Sequence, residues 1–193
     1  MSSRGRPVAT SHAEIERAAF RLFAERGFDD VTMGDIAAEV GVGRRTLFRY
    51  FESKNDIPWG QFDRTLEGFR EILSAMPADL PVHDAVQRGV QRFNDFPAGA
   101  QPDHRARMRL ILQTPALQAH SALRYAAWRA VIAEYVAGRL GRRPDDLLPR
   151  TVGHVWLALA VSAYETWLDD PDADLADLLD ATDAGLREHL TTR

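Results

Sequence analysis

Three times before residue 57 the chain repeats one helix-opening device: Ser11 with Glu14, Thr32 with Asp35, and Ser53 with Asp56. In each, the hydroxyl can accept from the backbone N–H three residues on, while the acid reaches back to the first residue's own N–H. Two donors that a helix start leaves unpaired are thereby satisfied. Apolar residues then recur every three or four positions: Ile15, Ala18, Ala19, Leu22 and Phe23 after the first, and Met33, Ile36, Ala37 and Val40 after the second. Gly27 and Gly41 stand where these two helices should stop. The third start is followed by Ile57, Phe62, Leu66, Phe69, Ile72, Leu73 and Met76, which predicts one long helix from Ser53 to Met76, bent near its start by Pro58.

Helical spacing continues to the C-terminus, and no segment alternates polar and apolar residues for more than a few positions. Prolines and flanking polar residues divide the remainder into helices over roughly 82–95, 103–113, 116–141, 148–169 and 174–190. The expected fold is all-α, with about nine helices. An N-terminal helix-turn-helix unit over 1–55, which includes a flexible arm at 1–10 bearing Arg4 and Arg6, is followed by a helical unit over 56–193.

Composition narrows the chemistry. A chain that is 45% hydrophobic and 27% charged is expected to fold. It has no cysteine, which excludes disulfides, thiolate metal sites and cysteine nucleophiles. The histidines at 12, 83, 104, 120, 154 and 189 lack the i, i+4 pairing of a metal site, so neither metal nor cofactor is expected. Gly41-Val42-Gly43 follows no strand and is not a dinucleotide loop. No nucleophile, base and orienting group can be assembled, so no catalytic residue is assigned. The first ten residues lack the apolar core of a signal peptide and no run is long enough to span a bilayer, which points to the cytoplasm and away from a membrane partner.

The formal charge of −4 argues against a surface that is basic throughout, but a local basic face is present. Beyond the Gly41–Gly43 turn, a short helix over Arg44–Phe51 carries Arg44, Arg45, Thr46, Arg49 and Tyr50, with Leu47 and Phe51 one turn apart on its apolar side. Two short helices joined by a tight glycine turn suit a second helix that enters the major groove. Arginine there can donate to guanine O6 and N7, a threonine methyl can touch thymine, and tyrosine or lysine can hold phosphate. Lys54, the one lysine of the chain, falls at the helix start after Ser53, where free N–H groups favour an anion.

Ile15, Ala18, Leu22, Phe23, Gly27, Phe28, Thr32, Ile36, Ala37, Gly41, Val42, Thr46, Leu47, Phe48, Tyr50, Phe51, Ser53 and Lys54 together resemble the DNA-binding signature of the TetR family. The resemblance implies that Thr32, Tyr50 and Lys54 meet backbone phosphates and that Arg44, Arg45, Thr46 and Arg49 lie on the recognition helix. The sequence departs from the common pattern at Gly43, Arg45 and Phe48; Phe48 stands where a tyrosine is frequent and lacks its phosphate-bonding hydroxyl. Operator specificity therefore does not transfer from relatives. Residues 44–56 with Trp59, and the stretch from Pro115 to Arg129, resemble more narrowly the family members associated with mycofactocin biosynthesis loci.

The same resemblance implies a homodimer on a palindromic double-stranded operator, with half-sites about 34–36 Å or a multiple apart. It also implies a small apolar effector in the second unit, a fatty acyl-CoA being the leading expectation, whose binding moves the Ser53–Met76 helix and releases DNA in the manner of a repressor. Phe62, Phe69, Phe93, Met108, Tyr125 and Trp128 are the candidate lining residues, although aromatic stripes at helical spacing more often fill core. The apolar faces of the last two helices, among them Val155, Trp156, Leu179 and Leu190, suit a four-helix dimer interface. His104, Arg105, Arg107 and Arg109 do not share one helix face and read as solvated surface rather than a phosphate site. Two other readings stay open here: a helical ligand-binding protein or enzyme built around the aromatic residues, and a structural interaction protein.

Overall fold

The computed structural model describes residues 10–96 and 102–192. These form nine α-helices and one 3₁₀ helix, with no strand among the described residues. The helices are α1 (His12–Arg26), α2 (Met33–Glu39), α3 (Arg44–Leu47), the 3₁₀ helix Lys54–Trp59, α4 (Phe62–Ser74), α5 (Val82–Phe93), α6 (His104–Gln113), α7 (Pro115–Leu140), α8 (Leu147–Asp169) and α9 (Leu175–Thr191). The predicted all-α class holds. The arm expected at 1–10, with Arg4 and Arg6, lies outside the described residues except for Thr10. No helix among the described residues is long and apolar enough to cross a membrane.

Contacts divide the chain into two compact units. The first takes residues up to Gln61 and then residues through Ala119 that include α6, a stretch that the sequence alone groups with 56–193. Its core is a single cluster in which Ile15, Ala19 and Phe23 of α1 meet Ile36 and Ala37 of α2, Leu47 of α3, Phe51, Ile57 and Leu117. The capping boxes fold as their spacing demands: Glu14 N–H donates to Ser11 Oγ at 3.2 Å and Ser11 N–H to the Glu14 carboxylate at 2.8 Å. At the far end of α2, Gly41 takes φ +70°, which lets Val42 N–H return to Ala37 O at 2.9 Å and Gly41 N–H to Ala38 O at 3.1 Å. This left-handed stop turns the chain sharply into α3.

Two expectations are corrected in this unit. The long helix from Ser53 to Met76 does not form: its first part is the six-residue 3₁₀ helix, closed at Gly60, and α4 begins anew at Phe62. Gly60 has φ +58°, outside the helical range, and a Cβ there would lie 3.1 Å from a Glu16 carboxylate oxygen. The break thus belongs to Gly60 rather than to a bend at Pro58. The helix expected over Arg44–Phe51 is α-helical only through Leu47; Arg49 and Tyr50 N–H groups then bond three residues back, to Thr46 O and Leu47 O, tightening the coil.

The second unit holds α4, α5, most of α7, α8 and α9. Its interior includes Leu66, Phe69, Val86, Val90, Trp128, Ile132, Trp156 and Ala163, all buried. Gly153 of α8 lies so close to α7 that a Cβ on it would stand 2.7 Å from the Arg129 carbonyl oxygen. Between α5 and α9, His83 Nε2 and the buried Asp183 carboxylate are 2.9 Å apart.

Candidate nucleic-acid interface

The core residues of α3 decide what its other side presents. Leu47 is fully buried and Phe51 nearly so, and the backbone bond from Phe51 N–H to Leu47 O (3.2 Å) keeps those two residues on one face. The exposed positions are therefore Arg44, Arg45, Phe48 and Arg49, with Thr46 and Tyr50 half-buried beside them.

Arg44, Arg45 and Arg49 make no ion pair and no side-chain hydrogen bond within the described residues. Three other arginines of the unit are matched to carboxylates: Arg21 to Glu39 at 2.6 Å, Arg26 to Asp35 at 3.3 Å and Arg107 to Glu16 at 2.6 Å. Three like charges within one short stretch, uncompensated in the fold, form a local field suited to a polyanion.

The three residues that the family resemblance places at phosphates are engaged differently. Thr32 gives both its donors to Asp35, N–H at 2.8 Å and hydroxyl at 2.5 Å. Those two hydrogen bonds, with Arg26 adding attraction, hold the Asp35 carboxyl down at about 2. Tyr50 donates its hydroxyl to Thr10 O at 2.7 Å, and the His12 ring stands edge-on to it with centroids 5.0 Å apart. Lys54 donates to Phe28 O at 2.6 Å and Asp29 O at 3.2 Å and lies over the Phe28 ring at 4.4 Å. The anion site expected at the helix start is thus partly filled: Ser53 N–H and hydroxyl both go to Asp56, at 2.9 and 2.7 Å. Lys54 closes the loop after α1 with two of its three donors and keeps one.

Of the cluster His104–Arg109, Arg109 is exposed as its spacing suggests, whereas Arg107 is drawn into the unit. Arg107 is largely buried, donating to Glu16 at 2.6 Å and Pro58 O at 2.5 Å, with its guanidinium 5.2 Å from the Phe20 ring centre. Burial, reinforced by the neighbouring Arg107 charge, lowers His104 to about 4, so its ring is neutral at pH 7. No local signal reveals this docking, because Glu16 and Arg107 are 91 positions apart.

Of the six candidate effector residues, Phe69, Phe93 and Trp128 come together in the second unit. Their ring centroids are 4.5 Å apart for Phe69 and Phe93, 5.4 Å for Phe69 and Trp128, and 6.4 Å for Phe93 and Trp128. Phe62 is buried with the Arg124 guanidinium 5.4 Å from its ring. Tyr125 is half-buried, and desolvation raises its hydroxyl above the ordinary tyrosine range against a hydrogen bond from Ser121. Met108 lies on α6 and belongs to the first unit. Helical spacing gave no hint of a polar pair in the second unit: the buried Tyr164 donates its hydroxyl to Asn94 Oδ1 at 2.6 Å, and its burial pushes that hydroxyl's pKa strongly upward.

Residues 15–57 match the model of the bacterial regulatory proteins of the tetR family, and residues 80–191 match that of the MftR C-terminal domain. A protein of Mycobacterium tuberculosis named as a candidate mycofactocin biosynthesis transcriptional regulator, MftR, is 45% identical over 177 residues, covering 92% of this chain and 89% of its own. Solved structures share the fold: FadR of Bacillus halodurans, a fatty acid degradation regulator, at TM-score 0.63 and 17% identity, covers 97% of this chain and 100% of its own. FadR of Thermus thermophilus, a TetR family repressor in complex with lauroyl-CoA, has TM-score 0.58 and 22% identity, with 95% and 96% covered. The chain belongs to the TetR family of DNA-binding transcriptional regulators and carries an MftR-type C-terminal domain.

Proposed function

We propose that the chain is a homodimeric repressor of mycofactocin biosynthesis genes, released from a palindromic operator by a small apolar effector of the fatty acyl-CoA class. The observation that carries the DNA half is the exposed trio Arg44, Arg45 and Arg49, on α3 and the turn that follows it, with no ion pair among the described residues. Arg45, Arg49 and Thr46 read base edges; Thr32, Tyr50 and the spare donor of Lys54 hold phosphates; Arg44 supplies charge at the groove edge. The mycofactocin assignment is supported by the 45% identity to the MftR relative and by the C-terminal family match.

The clustered rings of Phe69, Phe93 and Trp128 support an apolar effector, and the lauroyl-CoA held by the Thermus thermophilus neighbour suggests its class. Exposed Leu147, Leu148 and Val155 on α8 and Leu190 on α9 support a second copy as the partner of that face. The effector acts by favouring the conformation that does not fit DNA, and a tenfold loss of affinity needs about 1.4 kcal/mol of differential binding.

The test is fluorescence anisotropy of the full chain on promoter duplexes from mycofactocin loci, against a shuffled control. Two cations per subunit on the phosphate side, Arg44 and Lys54, make four in the dimer and give a log–log salt slope of about −3.6, roughly a 150-fold weakening from 50 to 200 mM salt. Lauroyl-CoA should raise the melting temperature and release the duplex. Salt-insensitive or sequence-indifferent binding would refute the operator reading; unchanged melting with acyl-CoAs would refute the effector.

A further inference from the structure

We infer that Phe48 is a specificity-determining residue that reads the 5-methyl group of thymine in the major groove. This rests on the DNA-binding reading of α3 and adds a base preference to it. Among the described residues of the first unit, Phe48 is the one large apolar side chain left exposed, at 44%. The other phenylalanines of that unit, Phe20, Phe23, Phe28 and Phe51, are all buried at 8% or less. The unit therefore has an interior that accepts phenylalanine, and Phe48 is held outside it.

Its setting specifies what it can meet. Phe48 shares the outward face with Arg44, Arg45 and Arg49, so any approach of these guanidinium groups to a duplex brings the ring with them. A phenyl ring has no N–H or O–H to donate to a phosphate oxygen, its face repels an anion, and its apolar area is covered best by another apolar group. The one apolar group on the major-groove edges of the bases is the thymine methyl. Burying a methyl against a ring favours thymine over a base that lacks it by about fourfold per contact. With one such contact in each half-site the preference becomes about fifteenfold.

The test uses the full-length chain and the duplex that it enriches from a random library. Each thymine is replaced in turn, symmetrically in both half-sites, by deoxyuridine, which removes the methyl and leaves the pairing intact. The wild type should lose about fifteenfold at the thymine met by Phe48, and a loss at a thymine met by Thr46 should be the same in Phe48→Ala as in the wild type. Phe48→Ala should bind the thymine and uracil versions equally at the position that Phe48 meets, with an unchanged salt slope because no charge is removed. Phe48→Tyr, which keeps the ring, should retain the preference. Indifference of the wild type to every replacement, or survival of every uracil penalty in full in Phe48→Ala, would overturn the inference while leaving the operator reading intact. Failure to enrich any duplex would overturn both.

Discussion

Removing the guanidinium of Arg107 gives the sharpest test of how the first unit is held together. The Glu16 side chain is 10% exposed and that of Arg107 19%, so the pair is nearly dry. Arg107→Leu strands the Glu16 carboxylate, leaves Pro58 O without its side-chain donor and removes the cation from the Phe20 ring. Breaking a buried pair by deleting one partner costs roughly 3–5 kcal/mol, and the residual access of water to this one places the loss near the lower limit, about 3 kcal/mol. For a chain of this length that corresponds to about 6–12 °C in melting temperature if the whole chain unfolds together. Because the chain forms two units, the loss is best read by hydrogen exchange at the α1 amides, whose protection should fall by about two orders of magnitude. Glu16→Leu should cost a similar amount, and Glu16→Leu with Arg107→Leu much less than the sum, since an apolar pair strands no charge. Additive losses, or an Arg107→Leu variant whose stability differs from wild type by less than about 0.5 kcal/mol, would show that the pair does not lock the unit.

Three further expectations use the same reasoning. His104 is held at about 4 in the fold, below the unperturbed value near 6.5, so the unfolded chain binds its proton first. Its contribution to stability is complete above about pH 6.5 and is lost as pH falls toward about 4, and denaturant titrations of His104→Phe should show a flatter pH dependence across that window. Gly153→Ala forces a Cβ against the Arg129 carbonyl, and thermal melts should show a loss of about 1–3 kcal/mol as α7 and α8 part to admit it. Lys54→Met should lower melting temperature by loosening the Phe28–Asp29 loop and should also reduce the salt slope of DNA binding by about one unit per subunit. A melting curve unchanged by this substitution would assign Lys54 to DNA alone.

How much of this molecule can be read in its sequence depends on how local each cause is. Ser11, Thr32 and Gly41 act on their own neighbours, so the starts of α1 and α2 and the turn into α3 are directly legible. The Ser53–Asp56 pair is equally local, yet it opens a 3₁₀ helix, because a capping box marks a start without fixing the type or length of the helix beyond it. The stop at Gly60 is as local as that at Gly41, a glycine at positive φ, but apolar spacing that runs on through Ile57, Phe62 and Leu66 masks it in the sequence. The arginine face of α3 is legible because Leu47 and Phe51 declare the opposite side. The docking of α6 is not: a short run rich in basic residues looks like solvent-facing surface, and only the distant carboxylate of Glu16 makes one of them interior. The effector residues are the least legible, since the ring that packs a core and the ring that faces a ligand obey the same periodicity.

The clamp formed by Lys54 has a consequence for covalent chemistry. As the sole lysine, it offers the chain's only side-chain amine to any acylating reagent or enzyme, and that amine already donates to two carbonyls and lies over the Phe28 ring. Acylation there would cancel its charge and unfasten the loop in one event, so a single modified site would report, by mass alone, on the integrity of the whole DNA-reading head.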